Sequence, residues 1–293
     1  MVHKFIEKKF HTASLNRIEQ VNSIIADYQR QGYTLTLRQL YYQLVSRDLI
    51  PNKQNEYSKL SALVTDARRA GLIDWSAIED RTRFLRGYAT FESPAEAIRN
   101  AAETYCIDLW ADQPCYVEVW VEKDALIDIV AHACNYYRVP YFSCRGFMSD
   151  SETYKAGQRM KRIHDSGKKI VFLHLGDHDP SGLDMSRDIL RRVELFSGLS
   201  DKIDFQRIAL NMDQIEALQP PPNPAKETDT RARGYIEKYG RVSWELDALD
   251  PATLTELIES RILENIDKAR FINQQIREQD DTAELLELAE RIG

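Results

Sequence analysis

Residues 168–182 of the chain read KKIVFLHLGDHDPSG. The run from Ile170 to Leu175 is almost continuously apolar, the mark of a strand buried on both faces of a parallel sheet, and Gly176 ends it. Working outward, CYVEVWV (115–121) and VPYFSC (139–144) are further β-rich runs upstream, and IDFQRIAL (203–210) follows downstream. Helical segments fall between them: Asp124 to about Ala133, Glu152 to His164 with Ser166-Gly167 as the stop, and Leu183 to Phe196. Strand and helix alternate four times, so the chain is expected to form a parallel α/β sheet with helices on both faces.

In open parallel sheets, ligands bind beyond the carboxyl ends of the strands. Two of those ends carry acids: Val121-Glu122-Lys123-Asp124 and Gly176-Asp177-His178-Asp179-Pro180-Ser181-Gly182. Asp177 and Asp179 lie two apart in an extended segment and can point the same way. Glu122 joins them if the first and third strands are neighbours. Carboxylates without Cys or His partners suit a hard cation, Mg²⁺ with Mn²⁺ as its substitute. The competing reading is an acidic turn, with Ser181 to Asp184 as a helix-capping box, Asp184 a cap and His178 a hydrogen-bonding neighbour.

The N-terminal third reads as helices. Leu15, Ile18, Val21, Ile24 and Ile25 recur at helical spacing, Gly32 is a stop, and Thr34 and Thr36 are candidate caps. Leu37, Leu40, Tyr41, Leu44 and Val45 form the buried stripe of the next helix, and Leu60, Leu63, Val64 and Ala67 that of a third, stopped near Gly71. With GLIDWSAIEDRTR (71–83) behind them as a basic hairpin, these helices fit a winged-helix DNA-binding unit. Tyr42 lies about 100° round its helix from Tyr41 and is expected at the surface. Arg38, one turn earlier, shares its face. Such a pair can attack a phosphodiester, the guanidinium holding a phosphate oxygen, although a phenol of pKa ~10 needs a base or metal to help.

The order of these two units resembles the A subunit of topoisomerase VI and its meiotic double-strand-break relatives, a tyrosine-bearing winged-helix domain followed by a Toprim domain. The family's Arg-x-x-Tyr-Tyr-type motif falls on Arg38 to Tyr42, with Tyr42 as nucleophile. Its Val-Glu-Lys motif falls on Val121 to Ala125, with Glu122 as a metal ligand, and its Asp-x-Asp-Pro-x-Gly motif on Asp177 to Gly182, with Asp177 and Asp179 as further ligands. A Gly-Lys-Gly-Tyr-Pro-Asp loop is loosely matched by Cys144 to Asp150, without its proline, and a late Ala-Glu-Ile-Glu-Ala-Leu motif by Trp244 to Leu249. The resemblance implies a homodimer on double-stranded DNA, Tyr42 of one protomer facing the Mg²⁺ site of its partner, and a double-strand break with covalent 5′ ends. Basic residues off the core stripes, Lys59, Arg68, Arg69, Arg81, Arg83 and Arg86, together with Lys123 and Arg145, are candidate contacts to the DNA backbone. No P-loop is present, so any coupling to ATP would need an ATPase partner. The chain is similar to a short stand-alone member of the kind carried on mobile elements.

Composition bounds the rest. The chain has 293 residues, 43% hydrophobic and 29% charged, which excludes disorder as the main state. The net charge of −7 hides an asymmetry: residues 1–90 carry 14 Lys and Arg against 9 Asp and Glu. A basic N-terminal unit is therefore compatible with a phosphate backbone. No stretch approaches the ~20 apolar residues of a membrane helix, and the N-terminus has no apolar signal core. The four cysteines form no CxxC pair and suit a reduced cytoplasmic protein. The expected domains are a helical DNA-binding unit (1–105), a Toprim metal-binding unit (106–215), and a linker with a C-terminal helical extension (216–293). Two rival functions stand beside transesterification: hydrolysis of phosphodiesters by water at the metals, with Tyr42 structural, and DNA binding without catalysis.

Overall fold

Four parallel strands are where the chain's apolar runs meet. In a computed structural model, which describes residues 3–79, 90–225 and 229–293, β1 (Cys115–Val121), β2 (Tyr141–Ser143), β3 (Lys169–Leu175) and β4 (Ile203–Ala209) form one sheet in the order β2-β1-β3-β4. β1 and β3 pair in register from Cys115 opposite Lys169 to Val121 opposite Leu175. The connection after β1 runs to β2 on one side and that after β3 to β4 on the other, so β1 and β3 flank the topological switch point, where a crevice opens. All of β3 beyond Lys169 is buried, as its apolar run requires.

Ahead of the sheet come α1 (Thr12–Arg30), α2 (Leu37–Ser46) and α3 (Gln54–Arg69), which share one core with Leu35 and Ile73. Thr36 caps α2, its hydroxyl accepting from the Gln39 N–H while the Gln39 side chain accepts from the Thr36 N–H. Leu15, assigned to the stripe of α1, is exposed, because the core of that helix begins at Ile18. The segment expected as a hairpin has a 3₁₀ turn at Trp75–Ala77 and one parallel bridge, Leu35 with Ile78. Its remainder, with Arg81 and Arg83, lies outside the described residues, as does Arg86 beyond it.

Helix α4 (Pro94–Thr104), started by the Ser93 cap and Pro94, precedes the sheet. Between and after the strands run α5 (Ile127–Asn135), α6 (Asp150–Asp165), α7 (Pro180–Ser197) and α8 (Met212–Leu218). Two cores sandwich the sheet: Val117, Val119, Val171 and Leu173 face Ile129 and Ile258, and Trp120 and Phe172 face Met160 and Ile189. The proline-bearing linker is not wholly irregular. β5 (Asn223–Pro224) pairs antiparallel with β6 (Val242–Ser243), on either side of α9 (Ala232–Tyr239). The chain ends in α10 (Pro251–Leu263), which packs on α5, and α11 (Lys268–Ile292), which packs on α4. Tyr105 and Asp281 hydrogen-bond across that helix pair at 2.9 Å. Among the described residues no helix is long and apolar enough to cross a membrane.

Candidate functional site

At the switch point, the Glu122 N–H donates to the Leu175 carbonyl at 2.9 Å, one residue past the paired strands. This contact sets Glu122 directly beside the turn after β3. The Asp177 N–H donates to Glu122 Oε2 at 2.9 Å. Two glycines make the approach feasible: a Cβ on Gly176 would stand 2.9 Å from that oxygen, and one on Gly182 would stand 3.0 Å from it. Burial and the Asp177 charge push the Glu122 carboxyl up to about 7. Burial likewise raises Asp177.

The three expected metal ligands meet only in part. Glu122 and Asp177 share the crevice, but Asp177 turns its Oδ1 to the Leu246 N–H (2.8 Å) and its Oδ2 to Lys123 Nζ (2.8 Å). Asp179 turns away to cap α7, accepting from the Gly182 N–H at 2.6 Å and the Ser181 hydroxyl at 2.9 Å. Asp179 is therefore the cap, and the capping box expected at Ser181 to Asp184 does not form. Asp184 lies inside α7, paired with Arg231 at 2.6 Å and with Arg187. Among the described residues no three His, Cys, Asp or Glu side chains are arranged to hold a metal ion. The donor chemistry still fits one: Glu122 is a hard oxygen donor crowded by acids, and a bound cation would relieve its raised carboxyl. His178 is a neighbour, as read from the sequence. It is buried, its Nδ1 lies 2.9 Å from the Tyr235 hydroxyl, and burial lowers it to about 4.

Beneath the acids lies Arg207, on β4. Its guanidinium donates to the carbonyls of Gly176 (2.8 Å) and Asp177 (2.6 Å), and to the Ser186 hydroxyl. This half-buried cation ties down the acidic turn, and nothing in the alternating run IDFQRIAL marks it.

The other wall comes from the turn after β6. Lys123 Nζ is surrounded by Asp177 (2.8 Å), Glu245 (2.9 Å) and Asp247 (3.1 Å). Arg38, from α2, reaches the same pair, Glu245 at 2.9 Å and Asp247 at 3.3 Å. Glu245 and Asp247 are the site residues that the sequence reading passed over, although they stand in the late motif it quoted. Their two cations hold the Glu245 carboxyl down at about 2 despite its burial.

Tyr42 is not at the open surface. It is 5% exposed, because it joins the edge of the core shared by α1–α3 and the turn at Leu246–Ala248 packs on α2 as well. A helical count sees the stripe of α2, not this second neighbour. Yet its surroundings are polar: the Arg38 guanidinium lies 5.9 Å from its ring, and its hydroxyl is hydrogen-bonded to Glu245. Burial and Glu245 raise the phenol well above its ordinary range. Tyr42, Arg38 and Glu245 line a cavity of about 250 Å³, and Arg38 also lines one of about 310 Å³ with Glu122, Lys123 and Arg145. Within the chain Tyr42 thus meets Glu245, whereas Glu122 lines the second cavity and not the first.

The remaining basic candidates scatter. Arg68 is used internally, stacked 4.6 Å from the Trp75 ring with its guanidinium on the Ile78 carbonyl at 3.1 Å. Lys59 is exposed beside Glu56, and Arg69 is exposed at the end of α3. Arg145 is exposed with φ +53°, paired to Asp124 at 3.1 Å. No protein-family model matches the chain, and no curated protein matches it.

Proposed function

We propose that the chain is a Mg²⁺-dependent DNA-cleaving transesterase, a winged-helix-like tyrosine unit joined to a Toprim-like sheet and acting as a homodimer on double-stranded DNA. The observation that carries the reading is that Arg38 of α2 lines one cavity with Tyr42 and Glu245 and a second with Glu122 and Lys123, while Lys123 is paired with Asp177 and Glu245. The Tyr42 oxygen would attack the scissile phosphorus, giving up its proton to solvent, as the P–O3′ bond breaks; the 3′ oxygen leaves and is protonated to a 3′-hydroxyl, and the phosphate stays on Tyr42 as a 5′-phosphotyrosyl end. Arg38 would hold a non-bridging oxygen as charge develops on it. Glu122 and Asp177 would hold the cation, which supplies charge stabilisation at the phosphate. Arg207 keeps the backbone of the acidic turn fixed throughout.

Supercoiled labelled plasmid with Mg²⁺, denatured after reaction, tests the reading. Wild type retains label on protein, and Tyr42→Phe retains none. Label persisting on Tyr42→Phe, or full activity in EDTA, refutes it. One observation favours the rival in which water attacks: the buried phenol of Tyr42 is a harder acid to ionise than a free tyrosine. In that case Tyr42→Phe still cuts DNA and no label ever stays on protein.

A further inference from the structure

A single carboxylate oxygen, Glu245 Oε2, accepts from the Arg38 guanidinium and from Lys123 Nζ, each at 2.9 Å. Two cations from different units, one on α2 and one after β1, therefore converge on one anionic atom, and the same carboxylate is the partner of the Tyr42 hydroxyl. Both border the crevice that also exposes Glu122 and Arg145. An anion held between an arginine and a lysine beside a tyrosine is the arrangement a phosphodiester oxygen would need there.

We propose that Arg38 and Lys123 form a phosphate clamp, and that the Glu245 carboxylate is a built-in occupant which the phosphate must displace. The inference deepens the functional reading and rests on it for the identity of the incoming phosphate. Glu245 reaches the clamp from the turn after β6, in contact with Asn223 of β5 at 3.4 Å. Withdrawing it leaves Asp247 in place, whose Oδ2 still faces both cations and whose buried Oδ1 has no hydrogen-bond partner. The cations thus stay positioned while the carboxylate leaves. The same movement frees the Tyr42 hydroxyl from its acceptor. Substrate binding and release of the tyrosine become one event, which keeps the phenol idle until a phosphate arrives.

The test is titration of the full chain with inorganic phosphate, followed by calorimetry. Glu245→Gln removes the competing charge but keeps the side chain's shape. It is expected to bind phosphate about tenfold more tightly than wild type, since the two cations lose their anionic partner. The gain disappears when Arg38→Met or Lys123→Met is added. Glu264→Gln, an exposed residue at the end of α10, makes the same change in net charge and is expected to leave affinity unchanged. If Glu245→Gln does not fold, as judged by its urea transition, Glu245→Asp retracts the carboxylate and is expected to give a smaller gain. No gain in whichever variant folds overturns the clamp, as does an equal gain in Glu264→Gln or one that survives loss of Arg38 and Lys123. The adduct assay reads cleavage separately. Tighter phosphate with no adduct upholds the clamp and sinks the transesterase, and an adduct without the gain does the reverse.

Discussion

Replacing Glu122 by Gln removes a charge that the fold holds against its preference. The carboxyl moves from its ordinary 4.5 to about 7, because it is buried and Asp177 stands beside it. At about 1.4 kcal/mol per pH unit, that corresponds to roughly 3 kcal/mol of stability lost by the ionised form. The sign follows from the raised value: the penalty is absent below the unfolded value near 4.5, grows with pH, and is complete above about 7. Gln carries no such charge, and its amide oxygen can still accept from the Asp177 N–H. In EDTA, Glu122→Gln is therefore expected to match wild type at pH 4.5 and to exceed it by up to about 3 kcal/mol at pH 8. Urea midpoints across this range measure the gap. Saturating Mg²⁺ should then nearly close the gap at pH 8, since at 100 times its Kd a ligand adds about 2.7 kcal/mol to the wild type alone. A gap that does not change with pH, or a variant weaker than wild type at pH 8 without metal, refutes the account of this crevice.

Gly182→Ala would drive a Cβ into the Asp177 carbonyl oxygen and against Glu122 Oε2; a loss of about 1–3 kcal/mol is expected in the urea midpoint. Arg207→Leu leaves the Asp177 carbonyl without its side-chain donor, the Gly176 carbonyl with the Leu210 N–H alone, and the acids without their nearby counter-charge. It should cost about 3–5 kcal/mol, read by the same denaturation. Asp179→Ala removes the cap on Gly182 and should cost about 1 kcal/mol. Comparing its Mg²⁺-induced stabilisation with wild type then shows whether Asp179 also serves the metal: a full-sized effect leaves it a cap alone.

What could be read from the sequence was whatever the local pattern determines. The apolar run of β3 has one explanation, burial on both faces, and it fixed the neighbouring acids at the strand ends because β1 pairs with β3. The capping residue was misplaced because Asp179 and Ser181 both precede helical sequence, and only the backbone shows which side chain meets an N–H. The exposure of Tyr42 was misjudged for a different reason. A helical wheel ranks positions against one core, whereas α2 is covered on a second side by a turn some 200 residues away, as the 207-residue separation of Arg38 and Glu245 shows. Glu245, Asp247 and Arg207 are hidden by the same long separations. Their roles come from closure of the chain, and no periodicity records that.

The crevice treats its acids unequally, and the inequality has a chemical direction. Glu245 is held at about 2 by two cations in direct contact, while Glu122 is pushed up to about 7 and, among the described residues, accepts from the Asp177 backbone N–H. Arg207 lies nearby but directs its guanidinium to carbonyl oxygens. Adding a cation therefore brings the largest gain on the Glu122 side. Adding an anion brings its gain on the other side, where Arg38 and Lys123 are already paired and only the identity of their partner changes. A divalent metal and a phosphate need these two demands met side by side, with the metal next to the anion it neutralises. A plain acidic cluster would meet the first demand and repel the second ligand. The lysine between the acids, which at first looks like a substitute for the metal, is what lets one crevice accept both.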